Sequence, residues 1–231
     1  MLSHFLNLLF PSHCPICKNP STAHGHNPIC NDCWAAIRPY DGPRCSICGL
    51  PTTSEYTGIC GECLSATPPF SKVMYFGIYE GTLRESIHLL KFGGIKRLAK
   101  PLSELLMTLP ASRCDAIVPV PLHKKKLRER EFNQTALLGR HLSKIMKTPL
   151  LLHSLQKVRE TKLQTEVSGK ERHVNLRKAY AASRDISGKN ILLVDDVVTT
   201  GATIEECAST LKRAGAKNVE VIALARSMPR T

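Results

Sequence analysis

Aromatic residues are scarce in this chain, making up 5% of 231 residues with a single Trp. A nucleic-acid groove paved throughout with stacked rings is excluded, and each ring is first a core candidate. Acid is short as well: 19 Asp and Glu face 32 Lys and Arg, giving a formal net charge of +13. Such a surface suits polyphosphate, nucleic acid or anionic lipid and disfavours basic partners. Long apolar runs are missing, and nothing reaches the length of a membrane span, about 18 residues. The first ten residues are apolar but short, with no basic segment before them and no small-residue cleavage site after them. A signal peptide is therefore not expected, and a cytoplasmic location is. Leu2, Phe5, Leu6 and Leu9 share one helical face, expected to pack on the neighbouring domain. Peripheral contact with the inner face of the membrane is the alternative.

Cysteine, by contrast, is abundant. Eight of the ten Cys form four Cys-x-x-Cys pairs, Cys14/Cys17, Cys30/Cys33, Cys45/Cys48 and Cys60/Cys63. The gaps between successive pairs are 12, 11 and 11 residues. A Cys-x-x-Cys turn presents two sulfurs to one tetrahedral metal, and two such turns complete a four-cysteine zinc site. The simplest assignment places Cys14, Cys17, Cys30 and Cys33 on one Zn2+ and Cys45, Cys48, Cys60 and Cys63 on another; other pairings stay open. His13, His24 and His26 lie beside these cysteines and are expected to be solvated. Residues 11–66 are rich in Pro, Gly, Ser and Thr and poor in aliphatic periodicity, so metal must supply what a core does not. Two loaded sites lower the formal charge to roughly +9. Cys207, at core spacing with Ile204, Ala208 and Leu211, and Cys114, just before an apolar strand, are read as packing residues.

After a linker at 64–70 the pattern alternates between strand and helix. Strands are expected at 73–79, 116–120, 150–155, 190–194 and 219–224, and helices at 82–90, 98–109, 132–145 and 202–214. This order indicates a parallel sheet. It divides the chain into a cysteine-rich module, 1–66, and an α/β domain, 67–231. The polar run 159–178 has no clear period and reads as a mobile loop.

The most informative stretch is Ile191-Leu192-Leu193-Val194-Asp195-Asp196-Val197-Val198-Thr199-Thr200-Gly201-Ala202-Thr203. An apolar strand runs into two carboxylates, then hydroxyls and a glycine, then a helix. In open parallel sheets ligands bind at the strands' C-terminal ends, and a small-residue turn opening a helix offers N–H groups and a positive dipole end to phosphate. Asp195 and Asp196, expected at an exposed strand end, are placed to accept bonds from sugar hydroxyls or hold Mg2+ through water. The pattern resembles the phosphoribosyl pyrophosphate (PRPP) motif of type I phosphoribosyltransferases. That resemblance implies that the acids hold the ribose hydroxyls and 199–203 the 5′-phosphate. A second strand end, Pro119-Val120-Pro121-Leu122, is implied to bind pyrophosphate. Lys124, Lys125, Lys126, Arg128 and Arg130 follow and are candidates for pyrophosphate or nucleic-acid phosphate.

Nearly the whole chain resembles one family, the ComF competence group with its ComFC and GntX-like members. The matching residues are the cysteine pairs, Tyr79-Glu80-Gly81, Leu90-Lys91-Phe92-Gly93-Gly94, Val118-Pro119-Val120-Pro121, Arg130 to Gln134, Thr161, Gln164, Arg172, Asn175 and Asp195 to Thr203. The family usually reads Arg-Gly-Phe-Asn-Gln; here Glu131 stands at the glycine's place. The resemblance implies a type I phosphoribosyltransferase-like sheet flanked by helices behind a small double zinc-ribbon-like module. It implies PRPP and single-stranded DNA as ligands during DNA uptake, alongside other uptake or recombination proteins. The alternative is a true PRPP- and Mg2+-dependent transferase acting on an unidentified base or nucleophile, with Asp195 and Asp196 in its active site and the run near 161–175 as its lid. Trp34, Tyr40, Tyr56, Phe92 and Phe132 are the candidates for stacking.

Overall fold

The computed structural model describes residues 13–21, 26–52, 58–160 and 179–228. Four parallel strands form the central sheet in the order β1-β6-β5-β2: β1 Lys72–Ile78, β2 Ala116–Pro119, β5 Asn190–Val198 and β6 Asn218–Arg226. Every neighbouring pair is parallel. Helices α3 Gly81–Lys91, α4 Ala99–Leu106, α6 Gln134–Met146 and α7 Ala202–Arg213 supply the flanking layers. The strands are nearly continuous apolar runs because both faces are covered, as the alternating pattern implies. One face packs on α7 through Ile204, Cys207, Ala208 and Leu211; the other packs on α3, α4 and α6 through Ile87, Leu90, Leu102, Leu138 and Leu142. Cys207 is a core residue, as read from its spacing, and Cys114 is half-buried.

Two expectations change. Residues 150–155 do not form a strand of the sheet: Leu150 makes a single parallel bridge to Ile117, and the chain then leaves the edge. Leu155 instead opens a short strand, β3 Leu155–Lys157, that pairs antiparallel with β4 Tyr180–Ala182 above the α7 face. The basic run after β2 is helical, α5 Lys124–Arg130, capped by His123 Nδ1 accepting from the Lys125 N–H. The run 161–178, with Thr161, Gln164, Arg172 and Asn175, lies outside the described residues, as do Leu2, Phe5, Leu6, Leu9, His24 and Tyr56.

The cysteine module has two short helices, α1 Asn31–Ala35 and α2 Gly61–Ser65. It straddles the free edge of the sheet at β1. Ile29, Ile37 and Trp34 from its first half join the α3/α4/α6 face, while Tyr40, Ile47 and Cys48 join the α7 face. The edge strand is also paired: Tyr40 N–H donates to Phe76 O at 2.7 Å and Val73 N–H to Ile47 O at 2.7 Å. A Cβ on Gly77 would meet Arg38 O at 2.8 Å, so glycine is what permits this approach. Buried Arg226 at the end of β6 donates Nη1 to Cys48 O at 2.8 Å. An unpaired sheet edge invites foreign strands, and here the module covers it.

Candidate functional site

The cysteines meet in the two tetrads expected. Cys14, Cys17, Cys30 and Cys33 form one and Cys45, Cys48, Cys60 and Cys63 the other, with the sulfurs of each within 4.8 Å of one another. The Sγ atoms of Cys17 and Cys30, and of Cys48 and Cys60, are 3.6 Å apart. Tetrahedral Zn–S bonds of about 2.3 Å require S···S near 3.8 Å, so the arrangement fits Zn2+ and is too wide for a disulfide. Burial pushes the Cys14 and Cys45 thiols up, but converging backbone N–H groups outweigh it and bring both down to about 6. Thiolates are what zinc binds. These are structural four-cysteine sites with no open position.

The acid pair lies inside β5, which continues to Val198 rather than ending at Val194. Asp195 and Asp196 are therefore buried, at 7% and 4% exposure, not on an exposed strand end. The β pleat turns them to opposite faces. Asp195 faces α7 and β4, where its charge raises the thiol of Cys207 and the phenol of Tyr180, both already pushed up by burial. Burial, then the neighbouring charge of Asp196, pushes Asp195 up to about 7 against the pull of Lys91. Asp196 faces α3 and α6. Lys91 Nζ sits 2.6 Å from its Oδ1, and Gln134 Nε2 donates to its Oδ2. Gln134 Oε1 in turn accepts from Arg130 Nη1 at 2.8 Å. Lys91 and Gln134 are site residues that spacing did not single out.

Beyond β5, Thr199 and Thr200 are exposed, and Gly201 (φ +87°) opens α7. A Cβ there would meet nothing within 4 Å, so the left-handed turn rather than crowding calls for glycine. Ala202 is buried, and its N–H lies 3.5 Å from Thr200 Oγ1. Exposed hydroxyls, a left-handed glycine and the first turn of a three-turn helix are the groups that an anion cradle requires. The turn after β2 lies alongside. Val120 N–H donates to Val194 O at 2.9 Å, and Val120 O accepts from Asn133 Nδ2 at 3.1 Å and Thr135 Oγ1 at 2.7 Å. Pro119 to Leu122 is thus locked between β5 and the start of α6.

Lys124, Lys125 and Arg128 of α5 are exposed; Lys126 and Arg130 are partly buried. Burial and the nearby Arg130 hold the Lys126 ammonium below the usual lysine range. Lys125 also reaches Glu160 at 3.7 Å, an exposed pair of little strength. Glu131 ends α5 in the left-handed region at φ +63°, a conformation that glycine adopts without strain. Among the stacking candidates, Phe92 is exposed and Phe132 partly exposed beside α5, whereas Trp34 and Tyr40 pack against the sheet.

Fold and site define a phosphoribosyltransferase-type domain joined to a double zinc ribbon. Residues 5–64 match the Double zinc ribbon domain and residues 136–231 the Phosphoribosyl transferase domain. The chain is 36% identical over 229 residues to DNA utilization protein YhgH of Escherichia coli K12, covering 96% of this chain and all of that one. It is 31% identical to Competence protein F of Haemophilus influenzae, covering 87% of this chain and 91% of that one. With Competence protein ComFC of Bacillus subtilis the identity is 26%, over 86% and 84% of the two chains. The protein belongs to the ComF (competence protein F) family. Among described residues no helix is long and apolar enough to cross a membrane.

Proposed function

We propose that this protein acts in competence-related DNA handling on the cytoplasmic side. In this reading it binds Mg2+-PRPP at the β5–α7 corner and single-stranded DNA along α5. The zinc module is residues 1–66 and the ligand-binding domain 67–231. The observation that carries the reading is the placement of α5: a helix with five cations in seven residues ends at Arg130, which reaches buried Asp196 through Gln134. Asp195 and Asp196 would accept from the ribose hydroxyls and, through water, hold Mg2+, which supplies charge neutralisation of the pyrophosphate when bound. Thr199, Thr200, Gly201 and Thr203 would hold the 5′-phosphate, and the Pro119–Leu122 turn the pyrophosphate. The relatives' names, DNA utilization protein and Competence protein F, support DNA as the polymer.

Fluorescence anisotropy of a labelled single strand from about 50 to 300 mM salt tests the polymer arm; each neutralised phosphate contributes a slope of about −0.7. Steep salt dependence with little sequence preference is expected, and no binding at low salt removes this arm. Pyrophosphate release from PRPP in the presence of free bases would instead favour the transferase reading.

A further inference from the structure

We propose that Phe92 and Arg130 form a clamp for one nucleobase of single-stranded nucleic acid, seated beside the buried acid pair. This rests on the single-strand reading above and names where a base is held.

Phe92 caps the C-terminus of α3 and is 63% exposed, a large apolar ring left on a strongly cationic surface. The Arg130 guanidinium carbon stands 4.7 Å from its ring centroid. The His88 ring approaches at 4.6 Å, tilted by 44°. Stacking a base on an aromatic ring is worth more than an exposed cation–π contact on the same ring. Exchange of the guanidinium for a base on the Phe92 face is therefore favourable, and Arg130 stacks on a base as readily as on phenylalanine.

Arg130 stays tethered when it lifts off the ring to admit the base. Its Nη1 donates to Gln134, and buried Gln134 donates to Asp196, which Lys91 also holds. Lys91 is the residue before Phe92, so the chain of contacts returns to where it began. That ring of contacts fixes the clamp beside the acid pair. Lys96 Nζ, 5.0 Å from the Phe132 centroid, repeats the cation-on-ring arrangement between the same two connections, α3–α4 and α5–α6.

The occupant follows from charge and access. Arg130 is the last residue of α5 and Lys126 stands one turn before it on the same helical face, close enough to Arg130 and Lys91 to feel both charges, so the approach to Phe92 is cationic and calls for phosphates on the same ligand. A free base has none. A duplex keeps its base faces stacked inside. A single strand offers both phosphates and open faces.

The test uses the full-length zinc-loaded chain and two labelled strands of equal length, oligothymidylate and an abasic oligodeoxyribose phosphate. Phe92→Ala and Phe92→Leu are expected to weaken oligothymidylate binding about fivefold or more, with the salt slope and the abasic affinity unchanged. Phe92→Trp is expected to restore it. Zinc content and melting profile check that each variant folds. A 4-thiothymidine strand is expected to photocrosslink to residues 92–96. Equal loss for both strands, or none for either, overturns the clamp while leaving DNA binding in place. Failure of the unaltered protein to bind either strand overturns the DNA reading itself. Reduced self-association of Phe92→Ala with unchanged DNA binding assigns this face to a second copy of the chain and also overturns the clamp.

Discussion

Glu131 holds a backbone conformation that costs a side-chain-bearing residue about 1–2 kcal/mol, partly offset by glycine's greater freedom in the unfolded chain. Glu131→Gly is expected to stabilise by about 0.5–1 kcal/mol, a rise of roughly 2–3 °C in Tm by calorimetry. A lower Tm would mean that the carboxylate makes a contact that matters. Asp195 gives a pH signature. Its folded value is raised to about 7, above the unfolded carboxylate near 3.9. The folded state thus keeps a proton that the unfolded chain has lost. Stability from this group is full below about pH 4 and falls as pH rises to about 7. The acid sensitivity of the zinc thiolates is common to the protein and its Asp195→Asn variant, so the difference between their denaturant midpoints isolates this group: the unaltered protein is expected to lose stability relative to the variant as pH rises through that window, and a pH-independent difference counts against the assignment. The acid pair and Thr-Thr-Gly were legible in the sequence because one short stretch carries them. Lys91 and Gln134 stood inside quoted motifs but had no assigned partner. Only the packing of α3 and α6 on the same face of β5 brings them to Asp196.

Among the elements, β5, α7 and β6 were readable from apolar runs and helical spacing, which buried parallel strands make strong. What failed was short or depended on distant pairing. Three-residue β3 finds its partner β4 across more than twenty intervening residues, and the acids were misplaced because the strand runs on past Val194. The cysteine tetrads needed no distant information, since ligand spacing is local. Elemental analysis of protein purified without added metal is expected to give two zinc per chain. Less than about half an equivalent, with natively alkylatable cysteines, would refute both sites. At α5, changing Lys124, Lys125 and Lys126 together to Gln is expected to weaken single-strand binding for all sequences alike. The log–log salt slope should flatten by up to about 2. An unchanged slope would place the strand elsewhere.

At the scale of the molecule, the zinc module closes the β1 edge of the sheet, whose other side carries the proposed ligand corner between β5 and α7. The central claim is that Mg2+-PRPP occupies that corner. Because both acids are buried and Asp196 is paired with Lys91, alanine would leave a buried cation unpaired and threaten the fold. Asn at both positions removes the charge but keeps the shape and an amide oxygen to which Lys91 Nζ can still donate. The most direct measurement is isothermal titration of Mg2+-PRPP into the zinc-loaded protein and into its Asp195→Asn/Asp196→Asn variant, with matched melting profiles. Binding to the unaltered protein, weakened at least tenfold in the variant, about 1.4 kcal/mol or more, is the expected result. Equal affinity in the two proteins, or no heat of binding in either, would contradict it.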